Sequence, residues 1–262
     1  MVKGLDLFRE RFSRFEGAFV LIGGVACAEW FASQEQLFRA TKDLDIVLII
    51  EALDQTFINA MREFIEEGGY EIRERTKGRP ILYRFAKPAS KEFPYMLELF
   101  SRQGNTLTLA MGQKIIPIKI EPDHHSLSAI LLDNAYYQLI QEHCSEANGV
   151  RMANVSALIP LKACAWLDLS ARREAGESID SRNIDKHRSD IFRLAATLPG
   201  EAGPTLPDSI VQDLIRFLEA LPTESPQWQA ILASLKSAFG INFRPEVLRQ
   251  AIQTYFRLAS NE

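Results

Sequence analysis

The stretch GAFVLIGGVACAEWFASQEQLF (17–38), continued by RATKDLDIVLII (39–50), decides the fold class. Its opening run GAFVLIGG (17–24) is β-branched and aromatic and ends in two glycines, the pattern of a buried strand entering a turn. VACAEWFASQEQLF (25–38) follows with apolar residues at helical spacing, and LDIVLII (44–50) reads as a second buried strand. Strand, helix and strand in close succession imply a sheet covered by helices.

Working outward, FINAMREFIEEG (57–68) predicts a helix closed at Gly68-Gly69, where a left-handed cap is easy. PILYRFAK (80–87) and PYMLELFS (94–101) read as strands, TLTLAMGQKIIPIKIE (106–121) as a hairpin, and VRMANV (150–155) as a last strand. From Ser156 onward the strand signals stop. ALIPLKACAWLDLSARRE (157–174) and SDIFRLAATL (189–198) are helical, and PGEAGPTLP (199–207) is a loop. Ile210, Val211, Leu214, Ile215, Leu218 and Leu221 form one apolar stripe, and helices are expected around 228–239 and 247–258. The expected fold class is α/β or α+β: a mixed sheet with flanking helices over 1–155, then a helical bundle over 156–262.

The 262 residues are 47% hydrophobic and 24% charged, which disfavours disordered and collagen-like classes. Cys27, Cys144 and Cys164 lie far apart and read as reduced thiols, so a cytoplasmic location is expected. The opening MVKGLDLFRERFSRF lacks the apolar core of a signal peptide, and runs such as IVLII (46–50) are strand-sized, so no membrane association is expected. A net charge of -4 argues against a sequence-independent nucleic-acid binder, though not against an enzyme with a local nucleotide site. No Walker A, G-x-G-x-x-G, G-x-S-x-G or H-E-x-x-H pattern occurs. His124-His125 read as a loop, since no Cys or further His lies at zinc spacing.

Three features carry chemistry. Gly23-Gly24 end a strand and open a helix, where free backbone N–H groups can face a phosphate; a tight turn packed on the sheet is the plainer reading. In Arg39-Ala-Thr41-Lys42-Asp43-Leu44-Asp45 the two aspartates fall on one face of a strand. They repel each other unless a cation sits between them, and oxygen ligands of this kind suit Mg²⁺ or Mn²⁺; otherwise both simply meet water. Glu98, inside the apolar PYMLELFS, is a candidate third ligand, because an isolated buried glutamate is costly. Its alternative is the outward face of a one-sided strand. Trp30, Trp166 and Trp228 read as core, with base stacking a second option for Trp166. Arg172, Arg173, Arg182, Lys186, Arg188 and Arg193 make either a solvated face or a phosphate-facing strip.

Taken in order, Gly23-Gly24-Val25-Ala26, Arg39-x-Thr41-x-Asp43-x-Asp45, Glu98, the lysine of Ser156-Ala-Leu-Ile-Pro-Leu-Lys162 and Lys186-His187-Arg188-Ser189-Asp190-Ile191 carry a resemblance. The combination resembles the nucleotidyltransferase superfamily typified by DNA polymerase β, and within it the AbiEii/AbiGii-type toxins of type IV toxin–antitoxin systems. The likeness runs from about residue 20 to 195. It implies a nucleotidyltransferase-like fold and transfer of a nucleoside monophosphate from an NTP to a hydroxyl of an RNA, a protein or a small molecule. It further implies that Asp43, Asp45 and Glu98 are catalytic and hold Mg²⁺ (or Mn²⁺), and that Gly23, Gly24, Thr41, Lys162, Lys186 and Asp190 serve the nucleotide. An antitoxin partner is implied as well. His187 stands where such proteins more often carry an acid. The alternative is a nucleotide-binding or protein-interaction module of the same fold without turnover.

Overall fold

The computed structural model describes residues 3–75, 79–102, 115–118, 127–147 and 149–258. The chain divides into two compact units, Met1–Asn154 and Val155–Glu262.

The first unit runs α1 (Leu5–Phe12), a 3-10 segment (Ser13–Ala18), β1 (Phe19–Ile22), α2 (Gly23–Ser33), β2 (Asp43–Leu48) and α3 (Gln55–Gly68). Then come β3 (Glu71–Arg75), β4 (Arg79–Ala86), β5 (Met96–Ser101), β6 (Ile115–Ile118), β7 (Leu127–Leu131), α4 (Asn134–Glu142), β8 (Cys144–Ala147) and β9 (Val150–Ala153). The strands form one sheet in the order β3-β4-β5-β2-β1-β9-β8, with β7 joined to β5 and β6 joined to β7. It is mixed: β2–β5, β1–β9 and β5–β7 are parallel and the other pairs antiparallel. This α+β architecture, a mixed sheet with flanking helices, is the class the sequence implied.

Phe8, Phe12, Phe19, Phe57, Phe64 and Phe93 pack into one aromatic core, with ring centroids as close as 4.4 Å for Phe8–Phe12 and 4.8 Å for Phe64–Phe93. Such edge and offset contacts add to simple area burial. Helix α3 begins at Asp54, whose side chain accepts from the Phe57 N–H at 2.7 Å, and ends at Gly69 in the left-handed region. Beside this core the Tyr70 hydroxyl donates to the Pro94 carbonyl at 2.7 Å, and burial raises its pKa above the ordinary value of 10.0. The neutral phenol is thus favoured by folding. Its contribution is complete below pH ~10 and fades as pH rises through the shifted value. Alkaline unfolding is therefore expected to be shallower in Tyr70→Phe than in wild type, as read by denaturant midpoints between pH 9 and 12.

Helix α2 stops at Ser33 instead of reaching Phe38. The chain leaves it through Glu35 at φ 55, and Leu37 is exposed, so the apolar run 37–38 does not continue the helical face. The sequence reading also passed over α1, β3, α4 and β8. The expected hairpin over 106–121 lies outside the described residues except for 115–118, which pairs with 127–131. His124-His125 also fall outside them.

In the second unit the described elements are helices: α5 (Val155–Glu174), α6 (Ser181–Ala195), α7 (Asp208–Glu219), α8 (Trp228–Phe239) and α9 (Pro245–Tyr255). Their core joins Trp166 to Phe217 at 5.3 Å and Phe192 to Trp228 at 4.5 Å. Arg249 donates to the carbonyls of Leu218 and Leu221, filling the C-terminal acceptors of α7. Among the described residues no helix is long and apolar enough to cross a membrane.

Candidate active site

The site is organised by the alternation of β2. Leu44 and Ile46 point into the core and are fully buried, which places Asp43 and Asp45 together on the other, half-exposed face. Strand register then lines up a row across the sheet. Ile22 of β1 pairs with Asp45, Asp45 with Glu98 of β5, and Glu98 with Arg84 of β4. Partners in register share a face, so Asp45, Glu98 and Arg84 lie side by side.

Two expectations about Glu98 need correction. Alternation in β5 is regular: Leu97, Leu99 and Ser101 are buried, and Met96, Glu98 and Phe100 face the opposite, half-exposed side. Nor is Glu98 isolated, since its carboxylate forms an ion pair with Arg84. The apolar neighbours in the sequence suggested burial because β5 buries one face while Met96 and Phe100 share the other.

Gly23 and Gly24 do more than turn the chain. Gly23 has φ 68, and a Cβ placed there would lie 1.8 Å from Asp45 Oδ2; one on Gly24 would lie 2.4 Å from Thr41 Oγ1. The glycines thus let the Asp45 carboxylate and the Thr41 hydroxyl press against the first turn of α2. The turn has no side-chain cap and no acidic residue of its own. The first N–H groups of a helix have no partner within it, and the dipole there favours negative charge. Gly24→Ala is expected to destabilise the protein by ~1–3 kcal/mol through the clash with Thr41. Gly17→Ala, whose Cβ meets nothing within 4 Å, is expected to be neutral or mildly stabilising. Urea midpoints of the two variants check the contrast.

Asp43, Asp45 and Glu98 offer hard oxygen donors on one face, as a divalent cation requires. Glu98 Oε1 is buried and faces the Arg84 guanidinium as its ion-pair partner. Yet among the described residues no three His, Cys, Asp or Glu side chains converge closely enough to hold a metal. The donor set fits in chemistry and register, while the Glu98 carboxylate is engaged by Arg84.

The second unit carries its own buried polar pair. Lys162 of α5 donates to Asp190 of α6 at 2.9 Å, with side chains 6% and 0% exposed. A solvated or snorkelling lysine is therefore not what the fold builds here. Lys186 is half-buried and makes no ion pair among the described residues. Most of the neighbouring arginines are engaged by other side chains. Arg172 pairs with Glu177 and Asp168, Arg182 with Asp180, and Arg188 with Asp185, while Arg193 donates to Ser234. Trp166 is 8% exposed and packs edge-on against Phe217, which assigns it to the core and not to base stacking.

The model of the family described as nucleotidyl transferase AbiEii toxin, type IV toxin–antitoxin system, matches residues 6–238. The chain belongs to this family. It is a nucleotidyltransferase. A solved structure, that of an antigenic nucleotidyltransferase-like protein from Paracoccidioides brasiliensis, is similar at TM-score 0.44 and 16% identity over 97% of this chain and 95% of that one. Curated proteins offer no match.

In this AbiEii nucleotidyltransferase, sequence reasoning missed Arg84 altogether. Its signal lay in ILYRFA (81–86), a lone cation inside an otherwise apolar and aromatic run. Its pairing with Glu98 became visible only through the β4–β5 register.

Proposed function

We propose that this AbiEii family member transfers a nucleoside monophosphate from an NTP to a hydroxyl group, with Asp43, Asp45 and Glu98 holding Mg²⁺ or Mn²⁺. The observation that carries the reading is the juxtaposition of Asp45 with Gly23: a carboxylate seated against the start of α2, on the face shared by Asp43 and Glu98. When bound, the cation supplies charge neutralisation for the triphosphate and for the leaving pyrophosphate. The N–H groups of the Gly23-Gly24 turn donate to phosphate oxygens. Thr41, packed on Gly24, keeps that turn and the Asp43 strand entry in one piece. Glu98 accepts the proton of the attacking hydroxyl. The hydroxyl oxygen bonds to the α-phosphorus, the bond to the bridging oxygen breaks, and pyrophosphate leaves with the electron pair. Positioning and neutralisation of developing charge account for most catalysis of this kind.

Lys162 and Asp190 act as a buried pair that fixes α5 against α6, and Lys186 adds to nucleotide affinity. Lys186→Ala is expected to raise the KM for the NTP about 3- to 10-fold with an unchanged melting temperature; initial rates and calorimetry test this together. The acceptor is an RNA or a protein, with an antitoxin as the partner. Incubation with each of the four labelled NTPs, Mg²⁺ and separated RNA and protein fractions of a cell extract tests the assignment. Label on one fraction identifies the acceptor class. Absence of both transfer and NTP binding with all four nucleotides would overturn it.

A further inference from the structure

We propose that Lys42, Tyr95 and Lys87 form a ledge that binds single-stranded RNA, stacking one unpaired base on the Tyr95 ring and holding the adjoining phosphates on the two lysines. The ledge deepens the transfer reading by choosing RNA over protein as the acceptor, and its purpose rests on that reading.

Tyr95 stands where β2 and β5 begin and β4 ends. Met96 of β5 is in register with Asp43 of β2 and with Ala86 of β4, so the next row outward is Lys42, Tyr95 and Lys87. The Tyr95 N–H donates to the Lys42 carbonyl at 3.1 Å, and the Tyr95 carbonyl accepts from the Lys87 N–H at 2.9 Å. Pro94, just before it, accepts from the Tyr70 hydroxyl. The Tyr95 side chain nevertheless meets solvent at 46% exposure, and both lysines are exposed. A lone surface aromatic is ordinary. One whose backbone is fixed on both sides between two lysines offers a flat face that loses little entropy on binding. Lys42 Nζ lies 5.9 Å from the ring centroid, at cation–π range. Lys87 is held at φ 51 and pairs with Glu71 in solvent, a contact weak enough for a phosphate to replace.

Aromatic rings among cations are how proteins hold single strands without reading their sequence. An acidic protein surface would engage the lysines and leave the ring unused, and a duplex keeps its bases stacked inside. The row lies one residue beyond Asp43, and strand alternation turns it away from the face of Asp43 and Asp45. The stacked base is therefore a neighbour of the reacting nucleotide, with the RNA passing over the end of the sheet between them.

Fluorescence anisotropy of a labelled, unstructured RNA of about 12 nucleotides, without metal or NTP, tests the ledge apart from the chemistry. Tyr95→Ala and Tyr95→Leu are each expected to weaken binding about 10-fold, and Tyr95→Phe to leave it near wild type, because the ring carries the stacking. Lys42→Gln combined with Lys87→Gln is expected to lower the slope of log affinity against log salt by about 1.4. A duplex of the same sequence should compete about 10-fold more weakly. In transfer reactions Tyr95→Ala should raise the KM for RNA and leave that for the NTP unchanged. No binding by wild type, equal binding by a Tyr95→Ala protein with a wild-type urea midpoint, or equal competition by the duplex overturns the ledge; labelling of a protein fraction would then keep the transfer reading alone. Preference for DNA of the same sequence overturns the choice of RNA. The expected binding pattern without transfer to any acceptor keeps the ledge and removes the transfer reading.

Discussion

Asp45→Asn is expected to lower the rate of nucleotidyl transfer about 10³-fold. The metal's stabilisation of transition-state charge is a matter of several kcal/mol, and about 4 kcal/mol corresponds to that factor. Asparagine has nearly the shape of aspartate, so it still fits the space that Gly23 leaves free. The melting temperature should therefore move by no more than about 3 °C. Gly23→Ala should reproduce the loss of activity by the converse route. It keeps the carboxylate but drives a Cβ into Asp45 Oδ2 at a position with φ 68. Single-turnover rates beside thermal unfolding curves separate the two causes, since only Gly23→Ala should also unfold early.

The second large effect concerns the buried pair of the helical unit. Lys162→Met removes the ammonium beside the Asp190 carboxylate, which is 0% exposed. Breaking a buried pair by removing one partner costs ~3–5 kcal/mol, or a fall of roughly 10 °C or more in melting temperature. The double variant Lys162→Met, Asp190→Leu removes both charges and is expected to regain most of that loss. A double variant no more stable than Lys162→Met would show that the two side chains do not act as a pair. Calorimetry of wild type, both of these variants and Asp190→Leu alone closes the cycle.

The sequence was most informative where one periodicity ran uninterrupted. In β2 the core residues Leu44, Ile46, Val47 and Leu48 marked the strand, and the period of two put Asp43 and Asp45 on one face. The long amphipathic helices of the second unit were legible for the same reason. Short elements were not. Helix α1 hides its stripe of Leu5, Phe8 and Phe12 among the charged Asp6, Arg9, Glu10 and Arg11, and β8 (Cys144–Ala147) offers only four residues. Glu98 could be picked out as unusual, but its partner could not. Glu98 and Arg84 are brought together by strand register, and register depends on the whole sheet. The same holds for Gly23, whose reason for being glycine is a carboxylate 22 positions later in the chain. Lys162 could be picked out in the sequence, but its pairing with Asp190, which arrives on the next helix, could not. The arginines of 172–193 looked like a basic strip because their acidic partners are interleaved with them or supplied by a following loop.

The proposed reaction is attack of an acceptor hydroxyl on the α-phosphorus of an NTP, at a site built on Asp45. Parallel reactions with α-labelled and γ-labelled NTP in Mg²⁺, with wild type and Asp45→Asn, test it most directly. The α-label is expected to become fixed to the acceptor, the γ-label to leave as pyrophosphate, and both changes to vanish in Asp45→Asn. Transfer of the γ-label to the acceptor, or undiminished α-label transfer by Asp45→Asn, would contradict it.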